Sequence, residues 1–365
     1  MILSKYFKHK SRLQISSKDT TFEWIDSVDI FIIPSVYFRY IIMHNLKKIS
    51  SPVSNELREF QGKLREAIKS DVSLLDKVMG YIIKNKGKQL RPLLVFLSAK
   101  ANGQISESSH HAAAVVEILH TATLVHDDVV DEADTRRGAF SVNALWKSKI
   151  AILAGDYLLS RGLLLALENK DYEVLHLLSE SVKLMAEGEL LQLKKSRTLN
   201  IKREDYFKII KGKTASLLAA ACASGAASVS DQQHVIARMK SFGHNLGMAF
   251  QITDDLLDYG TDDIGKPLGN DIRQQKITLP LIYALEQSHQ SESKSMMSVV
   301  KNKKSSKTEI ENLIEKVRIK GGINHARVVI NDFAQKAKES LEPLTNSAAK
   351  QSLISLVEFV VNRKK

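Results

Sequence analysis

Residues 107–133 read ESSHHAAAVVEILHTATLVHDDVVDEA, and the middle of this stretch is apolar almost all round. A helix of that kind needs other helices on every side of it. Working outward, residues 55–85 place apolar side chains at i, i+3, i+4 spacing with charges between them. Residues 151–169, 172–196, 203–227 and 231–260 continue in the same style. Short punctuation such as RRGAF at 136–140 and GTDDIGKPLGND at 260–271 separates them. No strand alternation persists and no repeat of fixed period is visible. The most charged segment, KSMMSVVKNKKSSKTEIENL at 294–313, reads as a surface connection. The pattern predicts an all-α fold: one large helical bundle with buried central helices.

Composition closes further doors. The chain has 365 residues, 44% hydrophobic and 26% charged, as in an ordinary globular protein. Six prolines and 17 glycines argue against a many-turned β-sandwich. A single cysteine, Cys222, excludes an internal disulfide framework and a Cys-rich zinc site. It lies in the small-residue run LLAAACASGAAS, the setting of a buried inert thiol. Lys and Arg number 53 against 41 Asp and Glu, a net charge of +12. That excess fits nucleic acid, anionic membrane or phosphorylated small molecules equally.

Residues 1–42 stand apart, holding 8 of the 23 aromatic residues. Their run IFIIPSVYFRYIIM is broken by Pro34 and Arg39 and is too short to span a bilayer. Signal-peptide and transit-peptide patterns are missing from it. The expectation is that Met43 is the physiological start, with 1–42 an extension read upstream and 43–365 the helical domain. An N-terminal mass measurement on native protein checks it.

The chemistry lies in two DDxxD patterns, Asp127-Asp128-Val-Val-Asp131 and Asp254-Asp255-Leu-Leu-Asp258. One such pattern arises by chance in about one chain in eleven of this length, and two in fewer than roughly one in a hundred. On a helix, i and i+4 share a face, so Asp127 projects with Asp131 and Asp254 with Asp258. Both patterns are embedded in apolar sequence, where unpaired carboxylates are costly. A cation must compensate them. Oxygen ligands without His or Cys favour Mg²⁺, which commonly completes its shell with substrate phosphate oxygens. Basic residues fit that picture: Arg136 and Arg137 follow the first cluster, Lys266 and Lys276 flank the loop after the second, Lys213 interrupts an apolar helix, and Lys88 and Arg91 stand at a helix start. Together they exceed what one diphosphate needs, which points to two phosphorylated substrates.

These segments resemble the trans-polyprenyl diphosphate synthases. The matching stretches are GKQLRP at 87–92, HTATLVHDDVVDEADTRRG at 120–138, LAGDYLLS at 153–160, EGELLQL at 187–193, KTASL at 213–217, FGHNLGMAFQITDDLLDY at 242–259 and GKPLGNDIRQQKITLP at 265–280. They stand in family order, and residues 1–42 have no counterpart. The resemblance implies the isoprenoid synthase fold with a central substrate cavity, and a homodimer. It implies that Asp127, Asp128, Asp131, Asp254, Asp255 and Asp258 hold two to three Mg²⁺ ions bridging to an allylic diphosphate. Arg136, Lys213 and Lys266 would contact that diphosphate, assisted by Thr214, Gln251 and Lys276. Lys88, Arg91, His120 and Arg137 would bind isopentenyl diphosphate. His120 precedes Asp127 by two helical turns on the same face. His126 reads as structural, while Glu187 and Glu189 read as helix-surface residues or as residues standing behind the ligands, neither of them a base.

The implied reaction ionises the allylic diphosphate, adds the double bond of isopentenyl diphosphate to the cation, and loses a proton to the departed diphosphate. In the family, a bulky aromatic four or five residues before the first Asp stops the growing chain. Here those positions hold Thr123 and Ala122, both small. The expectation is therefore a long all-trans product serving a quinone side chain, with a tunnel ending near Ile118, Leu119 or residues 151–165. Such a product associates with membrane, while the enzyme is expected in the cytoplasm. Shorter farnesyl or geranylgeranyl products form the main alternative. A non-catalytic subunit of a heteromeric synthase would have lost an acidic cluster, and a cyclase would lack the GKxxRP segment. No nucleic-acid partner is expected, because the basic residues neighbour acidic clusters and aromatics are scarce after residue 42.

Overall fold

The computed structural model describes residues 46–85, 87, 89–136, 138–260 and 268–363. After a short helical stretch at 46–53, four helices follow: α1 (Ser54–Ala67), α2 (Ser73–Lys84), α3 (Leu90–Asn102) and α4 (Glu107–Val130). A two-stranded hairpin, β1 (Thr135–Arg136) and β2 (Ala139–Phe140), leads to α5 (Val142–Glu168) and α6 (Tyr172–Thr198). Then come α7 (Arg203–Ile210), a π-helical turn (Lys211–Ala215), α8 (Ser216–Ala227) and α9 (Gln233–Leu257). After α10 (Asn270–Arg273) follow α11 (Leu279–Glu286), α12 (Gln290–Lys301), α13 (Lys307–Ile319), α14 (Gly322–Leu341) and α15 (Ala348–Val361). The all-α reading holds.

Two departures have local causes. Gly138, at φ 78°, turns RRGAF into a hairpin pairing Thr135 with Phe140 and Arg136 with Ala139. The supposed surface connection at 294–313 is instead helical in α12 and α13. Met296, Val300, Ile310 and Leu313 are buried there in a second core beneath α11 and α14. A capping box starts α13: Ser306 N–H donates to Glu309 Oε2 at 2.7 Å, and Glu309 N–H to Ser306 Oγ at 3.2 Å. The apolar spacing and the S-x-x-E signature were both present, masked by the density of lysines.

Small residues set how closely the central helices approach. Every residue from Ser216 to Ala226 in α8 is buried, and burial pushes the Cys222 thiol up to about 12, as the inert reading requires. Gly243 and Gly247 of α9 lie directly against Leu218 and Ala215; a Cβ on Gly247 would come within 2.6 Å of the Ala215 Cα. Gly188 of α6 meets Gly212 of the π-turn in the same way, a Cβ on Gly212 falling 2.6 Å from the Leu184 carbonyl oxygen. These contacts clamp the π-turn between α6 and α9. Helix α5 is long and apolar enough to cross a membrane by length and composition. One face of it packs on the core through Ala151, Ala154, Leu158 and Gly162. The other leaves Leu145, Ile152, Leu153, Leu164 and Leu167 exposed.

Gly247→Val is expected to lower the free energy of unfolding by about 1–3 kcal/mol, because backbone lies where the side chain must go. Thermal denaturation followed by circular dichroism checks this; an unchanged midpoint contradicts the clamp.

Candidate active site

Helix α4 delivers the first acidic cluster at its C-terminal end. Asp128 is buried, and its Oδ1 accepts from Arg136 Nε at 2.6 Å across the hairpin. Asp127 is half-buried, and Asp131 lies exposed just past the helix end. Burial, followed by the charge of Glu189, raises the Asp127 carboxyl above its ordinary range; Asp131 adds to the rise, while Lys213 and Arg136 oppose it. Asp127 therefore faces α6 and the π-turn.

The π-turn places Lys213 there. Its Nζ pairs with Glu189 Oε2 at 2.6 Å, so Glu189 stands behind a lysine of the site, one of the two readings its sequence context allowed. Glu187, two residues earlier, pairs with Lys183 along the helix surface. Single turns of π-helix recur at functional sites because the extra residue re-aims its neighbours. Beside Lys213, Thr214 Oγ1 donates to Gln251 Oε1 at 2.6 Å, tying the turn to α9.

Helix α9 carries the second cluster. Asp254 is half exposed and lies 3.9 Å from Arg363 near the described chain end. Asp255 is buried: its Oδ2 accepts from the Tyr206 hydroxyl at 2.7 Å and its Oδ1 from Gln251 Nε2 at 2.9 Å. Burial outweighs those hydrogen bonds and pushes its carboxyl up to about 7. Asp258 follows the last residue of α9 with helical backbone angles. Its two carboxylate oxygens accept the backbone amides of Asn270 and Asp271 at 3.0 and 2.8 Å, so it also organises the chain entering α10.

A cavity of about 220 Å³ lies between these elements, lined by Lys213, Thr214, Gln251, Asp254, Asp255 and Lys276. All six were singled out from the sequence. Tyr206 and Asp271 also line it and were missed; Asp271 sits 3.9 Å from Lys276. Asp271 lay inside a matching segment, five residues before Lys276, whereas nothing in REDYFKII marks Tyr206. A second, mostly apolar cavity opens beside the Asp128–Arg136 pair. Ile118, Thr121, Leu124 and Val125 of α4 line it, with Leu64 of α1 and Leu158 of α5 opposite.

His120 is buried on α4, and Arg91 is half-buried at the start of α3. Lys88, Arg137 and Lys266 lie outside the described residues. Ala122 is 2% exposed and Thr123 donates its hydroxyl to the His120 carbonyl at 2.8 Å; neither lines the two cavities. His126 is placed as a structural residue, its Nε2 3.3 Å from the Ile152 carbonyl oxygen and 3.4 Å from Asp156 Oδ1.

Among the described residues, no three His, Cys, Asp or Glu side chains are grouped to hold a metal ion by themselves. The donor set nonetheless fits a hard divalent cation. Its oxygen-only donors, Asp127 and Asp128 on α4 with Asp254 and Asp255 on α9, suit an ion that takes few protein ligands and fills its shell with water and phosphate oxygens.

Residues 72–317 match the polyprenyl synthetase family. The chain is 32% identical over 323 residues to octaprenyl diphosphate synthase of Escherichia coli, covering 87% of this chain and 99% of that protein. It is 33% identical to geranylgeranyl diphosphate synthase of Saccharolobus solfataricus, covering 83% and 94%. Among solved structures, polyprenyl synthase from Caulobacter crescentus, complexed with calcium and isoprenyl diphosphate, matches with a TM-score of 0.77 at 31% identity, over 87% of this chain and 98% of that one.

The raised Asp255 carboxyl has a consequence for stability. Its folded value of about 7 exceeds its ordinary 3.8, so the folded state holds a proton that the unfolded chain releases. With no metal bound, that contribution is complete below about pH 4 and is lost as pH rises through about 7. Metal-stripped protein is expected to lose melting temperature between pH 5 and 8 more steeply than Asp255→Asn does; parallel profiles contradict the assignment.

Proposed function

The chain belongs to the polyprenyl synthetase family and is a trans-prenyltransferase, and from that premise we propose that it condenses isopentenyl diphosphate onto an allylic diphosphate, repeatedly, to a long all-trans polyprenyl diphosphate. The observation that carries the reading is the single cavity in which Lys213, Thr214, Gln251, Asp254 and Asp255 converge, with Asp127 facing the same Lys213. Carboxylates alone would repel a diphosphate, and lysines alone would bind it without needing buried acids. Their combination suits a diphosphate brought in with divalent cations.

In this reading Asp127, Asp128, Asp131, Asp254, Asp255 and Asp258 would hold two to three Mg²⁺ ions, which would supply Lewis-acid stabilisation to the leaving diphosphate. Lys213 exchanges Glu189 for phosphate oxygens when substrate enters, and Lys276 exchanges Asp271. Thr214 and Gln251, already joined to each other, place hydrogen-bonding groups on the same wall. Arg136 stays with Asp128 and fixes the end of α4 beside the substrate. These charges are set before the allylic C–O bond breaks, so charge developing on the diphosphate meets preorganised partners. The isopentenyl double bond then attacks the allylic cation at close range, and the proton lost leaves with diphosphate. Arg91 and His120, with Lys88 and Arg137, are proposed to hold the second diphosphate.

Product length is the finer part of the proposal. The relatives named for octaprenyl and geranylgeranyl products stand at 32% and 33% identity, so identity does not separate the lengths. Support for a long product comes from the apolar cavity that runs along α4 past Ile118 toward Leu158. The proposal carries with it a cytoplasmic enzyme and a product that passes to a membrane for a quinone side chain. The exposed leucines of α5 support a homodimer built on that face. Sedimentation of Leu153→Asp is expected to show monomer where the wild type shows dimer; equal sedimentation contradicts that face.

Incubation with Mg²⁺, isopentenyl diphosphate and farnesyl diphosphate, followed by product sizing, tests the function. Products well beyond C20 are expected, and no chain elongation refutes the reading. Thr121→Phe, in the wall of the apolar cavity, is expected to shorten the longest product by several C5 units; an unchanged ladder refutes that cavity as the tunnel.

A further inference from the structure

We propose that Tyr206 is a positioning residue for the metal-binding wall of the cavity, fixing the orientation of Asp255 without neutralising it; this rests on the functional reading above. The two acidic clusters differ in how their buried member is held. Asp128 is held by a cation, Arg136 Nε at 2.6 Å, which matches its charge. Among the described residues, Asp255 is held by neutral donors, the Tyr206 hydroxyl at 2.7 Å and Gln251 Nε2 at 2.9 Å. A neutral donor fixes geometry and leaves the carboxylate charge available to an ion from outside.

The two donors are not equivalent. Gln251 stands four residues before Asp255 on the same helix, so it moves with Asp255 whenever α9 turns. Tyr206 comes from α7, 49 residues away in sequence, and it alone of the two ties Asp255 to another element. Its ring is fully buried in the second core, with Phe207 edge-on at 5.6 Å, so the hydroxyl has little freedom to leave. It also lines the cavity itself. The other charges nearby, Asp254 and Asp271, repel Asp255 and would otherwise drive its carboxylate out of line. Groups that orient metal ligands in this manner typically change metal affinity by about 10–100-fold when removed.

Tyr206→Phe removes one oxygen atom and keeps the ring. Tyr259→Phe is the matched control: Tyr259 is equally buried in the same core, and its hydroxyl meets Thr278 Oγ1 at 3.0 Å. Full-length wild type and both variants would be titrated with Mg²⁺ in the presence of inorganic diphosphate by calorimetry. Half-saturating Mg²⁺ in the elongation assay would be measured in parallel. Tyr206→Phe is expected to weaken apparent Mg²⁺ affinity by about tenfold, with kcat restored toward wild type at high Mg²⁺, while Tyr259→Phe titrates as wild type. A Tyr206→Phe titration indistinguishable from wild type overturns the proposal, as does an equal shift in Tyr259→Phe. Absence of Mg²⁺ binding by the wild type overturns it too. Wild type that binds Mg²⁺ with diphosphate yet makes no product sinks the functional reading alone, and the calorimetric comparison still decides the role of Tyr206.

Discussion

Negative charge held in a poorly solvated place is the constraint around which this molecule is arranged. Asp127 and Asp255 are both raised above the ordinary carboxylate range by burial first and by neighbouring acids after it. Such groups persist only where something answers their charge. The chain answers in three ways: by an arginine at Asp128, by neutral hydrogen bonds at Asp255, and by leaving Lys213 within reach of Asp127. The helices that bring these together have small residues at their closest approaches, since larger ones would hold α6, the π-turn and α9 apart.

Much of this was legible in the sequence because it depends on local spacing. Helical periodicity marks α4, α6 and α9, and the paired aspartates announce their chemistry in motifs five residues long. Lys213, Thr214, Gln251 and Lys276 were found because they sit in segments whose pattern the family shares. What escaped depends on pairing between distant residues. Tyr206 looks like any aromatic on an amphipathic helix until the fold brings Asp255 to it. The partner of Glu189 is set only when Gly188 and Gly212 let α6 close on the π-turn. Residues 294–313 were misread for a different reason: lysine density hid an apolar stripe that the second core uses.

Gln251 and Thr214 show how the two halves of the cavity wall are coordinated. Their hydrogen bond joins the π-turn to α9, and the other end of the Gln251 amide reaches Asp255. The side chains proposed for phosphate and those proposed for metal are therefore one connected unit. A shift of α9 relative to the turn would disturb both together.

The π-helical turn also fixes the rotational phase of everything that follows it. An α-helix advances 100° per residue, so the extra residue in Lys211–Ala215 rotates α8 by about that angle relative to α7. Losing one residue here would let the chain wind continuously from α7 into α8 and swing Lys213 off Glu189. Side-chain substitutions at the same positions would leave that phase intact. The segment is thus far more sensitive to a change of length than to a change of composition, a form of constraint that a count of identical residues does not register.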